Sequence, residues 1–129
     1  MTDNFKASKM EYIRMINPFS FFKDQSAVSV EEVKEALDNK ADLILVDVRT
    51  PEEYAQGHIK ASVLVPVQVL PEQLEKLPNK DELLYIYCRR GIRGANAVRI
   101  LRESGYTNVH NMSGGIEAWM SKDYPVING

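Results

Sequence analysis

Leu83-Leu84-Tyr85-Ile86-Tyr87-Cys88-Arg89-Arg90-Gly91-Ile92-Arg93-Gly94 is the stretch that decides how the rest of the chain is read. It opens as a short apolar, aromatic-rich run, the pattern of a buried strand. The run ends at Cys88, the only cysteine in the sequence. Arg89, Arg90, Gly91 and Arg93 follow, and Ala95, Val98, Ile100 and Leu101 then recur at helical spacing. Strand, tight turn and helix start therefore meet at one sulfur. A thiol placed there faces backbone N–H groups of the turn and the positive end of a helix dipole. Three guanidinium groups lie within five residues of it, in a chain whose formal net charge is only -2. Such surroundings favour thiolate over thiol and make a nucleophile suited to an anionic substrate.

A lone cysteine is more commonly a small buried hydrophobe. Position argues against that reading here, because ligands of open α/β sheets gather outside the carboxyl ends of the strands. An inert core thiol would also leave the three neighbouring arginines without a reason.

The chain has 129 residues, enough for one domain with a real core. Hydrophobic residues make up 44% and charged residues 26%, the profile of a soluble globular protein. The near-neutral charge balance leaves no general footprint for nucleic acid or an anionic membrane. The arginine cluster is local and points to a small anion. One cysteine cannot form an internal disulfide, which suits a reducing compartment. Cys88 and the two histidines, His58 and His110, show no metal-ligand spacing, so no metal and no cofactor is expected. The first residues lack a basic segment followed by an apolar core, so no signal peptide is expected. No apolar run approaches the ~20 residues that span a bilayer. The expected location is the cytoplasm.

Residues 1–27 read as an N-terminal arm. Met10 and Ile13, with Met15 and Ile16, could line a short helix before Pro18, and Phe19, Phe21 and Phe22 form an aromatic cluster. The arm either packs these aromatics on the body or offers them to a partner. Residues 28–129 read as the domain proper. Ser29 and Glu32 make a capping box for a helix to about Asn39, followed by a buried strand at Leu43–Val46 that ends in Asp47-Val48-Arg49. Thr50-Pro51-Glu52-Glu53 starts another helix, with Thr50 as N-cap, and Gly57 stops it. Val63–Val65 is a second strand, and Pro71–Leu77 a short helix with Leu70, Leu74 and Leu77 on one face. After the Cys88 loop a helix runs to about Ser104, Asn108–Met112 is a last strand, and Gly114-Gly115 turns into a final helix at Ile116–Met120. Strands alternating with helices argue for βαβ crossovers and a mainly parallel sheet.

Four of these motifs, in this order, resemble a single-domain rhodanese, the family of thiosulfate and persulfide sulfurtransferases. They are Leu45-Val46-Asp47-Val48-Arg49; Glu53-Tyr54 with Gly57-His58-Ile59; Tyr87-Cys88-Arg89-Arg90-Gly91-Ile92-Arg93; and Asn111-Met112-Ser113-Gly114-Gly115-Ile116 with Ala118-Trp119. The resemblance spans roughly Val28 to Val126. It implies an α/β fold, a five-stranded parallel sheet flanked by helices on both faces, and a catalytic cysteine that carries a persulfide. Cys88 matches that cysteine, and Arg89, Arg90, Gly91, Ile92 and Arg93 match the loop, with Arg93 as its closing arginine. Three departures stand out. Arg90 lies where a small polar residue is common, Gly94 lies where serine or alanine often begins the helix, and Lys60-Ala61-Ser62 replaces the usual Pro-Gly-Ala.

The implied cycle has two steps. The Cys88 thiolate takes the outer sulfur of thiosulfate or a persulfide donor, and a thiol, a protein acceptor or cyanide then removes it. Backbone N–H groups of residues 89–93 would hold the persulfide's charge, with Gly91 letting the turn pass close to the sulfur. Arg93 is expected to anchor the loop, and Arg89 and Arg90 to face solvent and attract the anion. Asp47 and Arg49 are expected to support the site, with Asp47 paired to an arginine of the loop. His58, Trp119 and the Gly114-Gly115 turn read as structure rather than site. The rival enzyme is a phosphatase or arsenate reductase of related architecture, whose loop places one more residue between cysteine and arginine. Only four residues separate Cys88 from Arg93, a loop better sized for one sulfur than for a phosphate. A persulfide relay or binding module is the non-enzyme alternative.

Overall fold

Three apolar runs and the mixed run Val109–Met112 supply the inner strands and one edge of a sheet, and a pair of residues at the arm boundary supplies the other edge. The computed structural model describes residues 26–129. The helix and aromatic cluster expected before Pro18 and at Phe19–Phe22 lie outside the described residues. In chain order the elements are β1 (Ala27–Val28), α1 (Val30–Asp38), β2 (Ile44–Asp47), α2 (Pro51–Gln56), β3 (Val63–Leu64), β4 (Leu84–Tyr87), α3 (Ile92–Glu103), β5 (Val109–Met112) and α4 (Gly115–Ser121). The strands form one five-stranded sheet in the order β1-β5-β4-β2-β3. Every pairing is parallel. The fold is the α/β, five-stranded parallel arrangement that the sequence implies.

β1 is the strand that periodicity misses. Two residues are too short for an alternating pattern, yet Ala27 pairs with Asn111 and Val28 with Met112. The sheet thus reaches one residue into the segment read as arm.

Capping chemistry sets the helix starts. Ser29 and Glu32 form a reciprocal capping box on α1, and Thr50 and Glu53 form one on α2 with Pro51 in the first turn. The short helix expected at Pro71–Leu77 is instead two 3-10 turns, Leu70–Glu72 and Leu74–Lys76. Their closing bonds, Gln73 N–H to Leu70 O (3.0 Å) and Leu77 N–H to Leu74 O (2.9 Å), each span three residues. Leu70 and Leu77 still reach full burial.

Strand alternation divides the core. On β4, Leu84 and Ile86, with Cys88 beyond the strand end, face a cluster that includes Val46, Leu70, Ala97, Val98 and Leu101. Tyr85 and Tyr87 face the opposite cluster with Val33, Leu45, Ile59, Met112, Ile116 and Trp119. Helices thus cover both faces, α3 on the first and α1 with α4 on the second. Among the described residues no helix is long and apolar enough to cross a membrane.

The decisive register is that of β2 with β4. Asp47 sits directly beside Tyr87, and Val48 N–H continues the ladder to Tyr87 O (3.0 Å). The carboxyl ends of the two central strands therefore finish together, and the residues just past them share one end of the sheet.

Candidate active site

Cys88 follows the last residue of β4 and is 1% exposed. Its sulfur accepts two backbone hydrogen bonds, from Gly91 N–H at 3.0 Å and Gly94 N–H at 3.2 Å. A half-ring of amides aimed at one atom favours negative charge on it without any side chain taking part. Gly91 makes the curl possible. Its φ of 117° lies in the left-handed region, which a side chain would strain, and it caps α3 there. The expected donors are the amides of residues 89–93; of these Gly91 bonds the sulfur, and the second bond comes from Gly94, one residue further on.

The loop's outer side rests on α4. Ile116 N–H donates to Cys88 O (2.9 Å) and Glu117 N–H to Arg89 O (3.1 Å). This contact needs Gly115, with a φ of 62°, because a Cβ there would collide with the carbonyls of Cys88 and Arg89. The Gly114-Gly115 turn, read from sequence as turn only, is thus the seat of the loop. Asn111 closes the underside, its Nδ2 donating to Gly91 O at 3.0 Å.

Arg93 is held by Glu53 in a two-point contact, Nη1 to Oε1 at 2.6 Å and Nη2 to Oε2 at 2.9 Å. The Arg93 hydrogen bond is the main reason the Glu53 carboxyl falls to about 2. Glu53 therefore has two tasks: its Oε1 also completes the Thr50 cap, 3.1 Å from Thr50 N. Capping alone was legible in the sequence; the loop contact crosses forty residues of chain.

Asp47 does not pair with a loop arginine. It pairs with Arg49, whose Nη2 lies 2.6 Å from Oδ2 and whose Nε lies 3.0 Å from Oδ1. Residues two apart on an extended strand end lie on one face, so Arg49 reaches the carboxylate before any arginine of the loop can. The pair is buried, and Arg49 also donates to Gly57 O at 2.7 Å. Burial opposes the charge on Arg49, but the Asp47 hydrogen bond and charge outweigh it and the guanidinium pKa is raised. The pair lies beside Tyr87, one residue before Cys88. Asp47 lies beside Tyr87, and the Tyr87 ring carries the Arg49 guanidinium 5.6 Å from its centroid. Tyr87 OH accepts from Ile59 N–H (3.1 Å) and meets Ser62 Oγ (3.1 Å). Burial first, and then the Asp47 charge, push that hydroxyl far up.

Arg89 and Arg90 are exposed, as expected, but both bind the same carboxylate. Arg89 Nε lies 2.7 Å from Glu117 Oε2, and Arg90 Nε lies 3.2 Å from Oε1. Ile92 projects at the rim with 83% of its surface open. Together Cys88, Arg89, Arg90, Ile92 and Arg93 line a cavity of about 160 Å³. His58 stacks on Tyr54 at 3.6 Å and directs Nδ1 at Tyr54 O (2.9 Å), the structural role read for it. Trp119 is buried, with Nε1 donating to Pro125 O at 2.9 Å. Among the described residues no group of three or more His, Cys, Asp or Glu side chains could hold a metal ion.

A buried cysteine at a strand end, bonded by two backbone amides and flanked by tethered arginines, lies at the carboxyl edge of a parallel α/β sheet. Residues 29–122 match the rhodanese-like domain, and the chain belongs to that family. It is 37% identical to a sulfurtransferase of Allochromatium vinosum over 100 residues, covering 78% of this chain and 92% of that one. It is 36% identical over 70 residues to the thiosulfate sulfurtransferase PspE of Escherichia coli, covering 54% and 67%. The fold superimposes on a rhodanese-related protein of Thermoplasma volcanium with a TM-score of 0.69 at 30% identity, covering 78% and 96%. These relatives support a rhodanese-type sulfurtransferase.

Proposed function

We propose that residues 28–129 form a sulfurtransferase domain that moves a sulfane sulfur from thiosulfate or a persulfide donor to a thiol through a persulfide on Cys88. The observation that carries this reading is the pair of amides, Gly91 and Gly94, directed at a sulfur with only four residues between it and Arg93. The Cys88 thiolate attacks the outer sulfur of thiosulfate. A new S–S bond forms, the bond to the sulfonate sulfur breaks, and sulfite leaves with the electron pair. An acceptor thiolate, or cyanide in an assay, then attacks the terminal sulfur and returns Cys88 as thiolate. The amide ring holds the charge in both states, and Arg93, tied to Glu53, fixes the ring. The cavity of about 160 Å³ accommodates a small sulfur donor.

The test is the intact mass of the protein after thiosulfate treatment and desalting, beside Cys88→Ser. The expected result is a gain of one sulfur atom, absent from the variant and released by cyanide as thiocyanate. No gain with thiosulfate, and none with a persulfide donor, would overturn the proposal.

A further inference from the structure

The arginines nearest the sulfur are not free to meet an anion. Arg89, Arg90 and Arg93 bring three positive charges to the mouth of the site, but Glu53 neutralises one and Glu117 is shared by the other two. Two carboxylates against three guanidiniums leave a net charge of one, before the sulfur's own charge is counted. Glu117 is also placed by its main chain, since its N–H donates to Arg89 O at 3.1 Å. It therefore stays at the loop whichever arginine it binds. The Arg89 hydrogen bond first, and that of Arg90 after it, hold its carboxyl below the usual range, so it is charged at neutral pH.

We propose that Glu117 is a specificity-determining residue, a charge gate that lowers the pull of the Arg89–Arg90 pair on small anions at Cys88. Side-chain exposures of 58%, 66% and 40% for Arg89, Arg90 and Glu117 make the gate easy to open. Exposed ion pairs are weak and screened by salt, so an incoming anion competes with Glu117 on near-equal terms. Arg89 and Glu117 also line a neighbouring cleft of about 410 Å³ with Arg49, Glu53, Gln56, Ile116, Met120 and Val126. A neutral thiol-containing partner that enters this mixed polar and apolar cleft brings no charge to compete with Glu117 for Arg89. Glu117 thus tilts the site away from free dianionic donors and towards donors of lower charge.

The inference rests on Cys88 being a reactive nucleophile, and its test does not need sulfur transfer to occur. Cys88 is the only cysteine, so alkylation reports on it alone. Iodoacetate and iodoacetamide form the same carbon–sulfur bond and release iodide, but only the first carries a charge. In Glu117→Gln the ratio of iodoacetate to iodoacetamide rates is expected to rise about fivefold at low salt, the worth of one exposed ion pair. The gain should vanish in high salt and on adding Arg89→Ala together with Arg90→Ala. A merely structural Glu117 would alter both reagents alike, and an unchanged ratio overturns the gate. If the ratio rises while neither thiosulfate nor a persulfide donor leaves sulfur on the wild type, the gate stands and the sulfurtransferase reading fails.

Discussion

The side chain of Asn111 occupies the space that a side chain on Gly94 would need. A Cβ on Gly94 would collide with Asn111 Oδ1 and lie 3.0 Å from its Cγ. The same amide donates to Gly91 O, and its buried Oδ1 has no hydrogen-bond partner among the described residues. One β5 residue therefore braces both glycines whose amides reach Cys88. Gly94 departs from the serine or alanine common in the family, and Asn111 fills what that departure leaves open. Gly94→Ala is expected to cost roughly 1–3 kcal/mol through overpacking. Asn111→Ala costs about 1 kcal/mol through the lost bond. In the double variant the clash is gone, so its loss should fall short of the sum by about 1 kcal/mol or more. Urea unfolding midpoints of the four proteins measure this coupling, and simple additivity would refute it.

Glu53 fastens the loop to α2, and its low pKa gives the contact a pH signature. The folded-state value of about 2 lies below the ordinary 4.5, so the contribution is complete above about 4.5 and is lost as pH falls towards 2. Glu53→Gln keeps the size but removes the charge. Because both partners are partly exposed, the cost at neutral pH is expected to be about 1 kcal/mol. Acid titration of stability should show the variant losing less than the wild type between pH 4.5 and 2. Parallel acid curves would show that Glu53 does not carry the effect.

What the sequence made legible was local. The Cys88 loop, the capping boxes at Ser29 and Thr50, and the buried runs at Leu43–Val46 and Leu83–Tyr87 each depend on residues within one turn or one strand. Their neighbours in sequence decide their structure. The partners of the loop were not legible in the same way. Glu53 meets Arg93 from forty residues upstream, and Arg89 meets Glu117 from 28 residues away. Cap chemistry explained Glu53 fully in one dimension and hid its second task. Asp47 misled for the opposite reason. Its partner is only two residues away. The pairing follows from strand alternation, which puts both side chains on one face, nearer to each other than either is to the loop's arginines.

Tyr87 offers a test of the layer beneath Cys88. Its hydroxyl is fully buried and accepts from Ile59 N–H while meeting Ser62 Oγ. Tyr87→Phe leaves both of those groups without their partner in a place water reaches poorly. The expected loss is about 1–3 kcal/mol in denaturant unfolding. Slowed amide exchange at Ile59 in the wild type should become faster in the variant. Unchanged exchange at Ile59 would show that its N–H finds another acceptor.

The Asp47–Arg49 pair predicts a loss of stability that does not begin at the loop. Both side chains are buried, at 0% and 5% exposure. Removing one charge leaves the other uncompensated, which costs on the order of 3–5 kcal/mol when the partner cannot reach water. Arg49 also ties Glu53 O and Gly57 O at the end of α2, so that helix is the first element to feel the change. Asp47→Asn should therefore lower the melting temperature and speed amide exchange around Tyr54–Gly57. The amides of Gly91 and Gly94, both donating to Cys88 Sγ, should keep their protection under conditions where the fold persists. Had Asp47 held the catalytic loop directly, those two amides would lose protection first. Hydrogen exchange resolved at these residues separates the two arrangements, and early opening at Gly91 would restore the loop pairing that the geometry rejects.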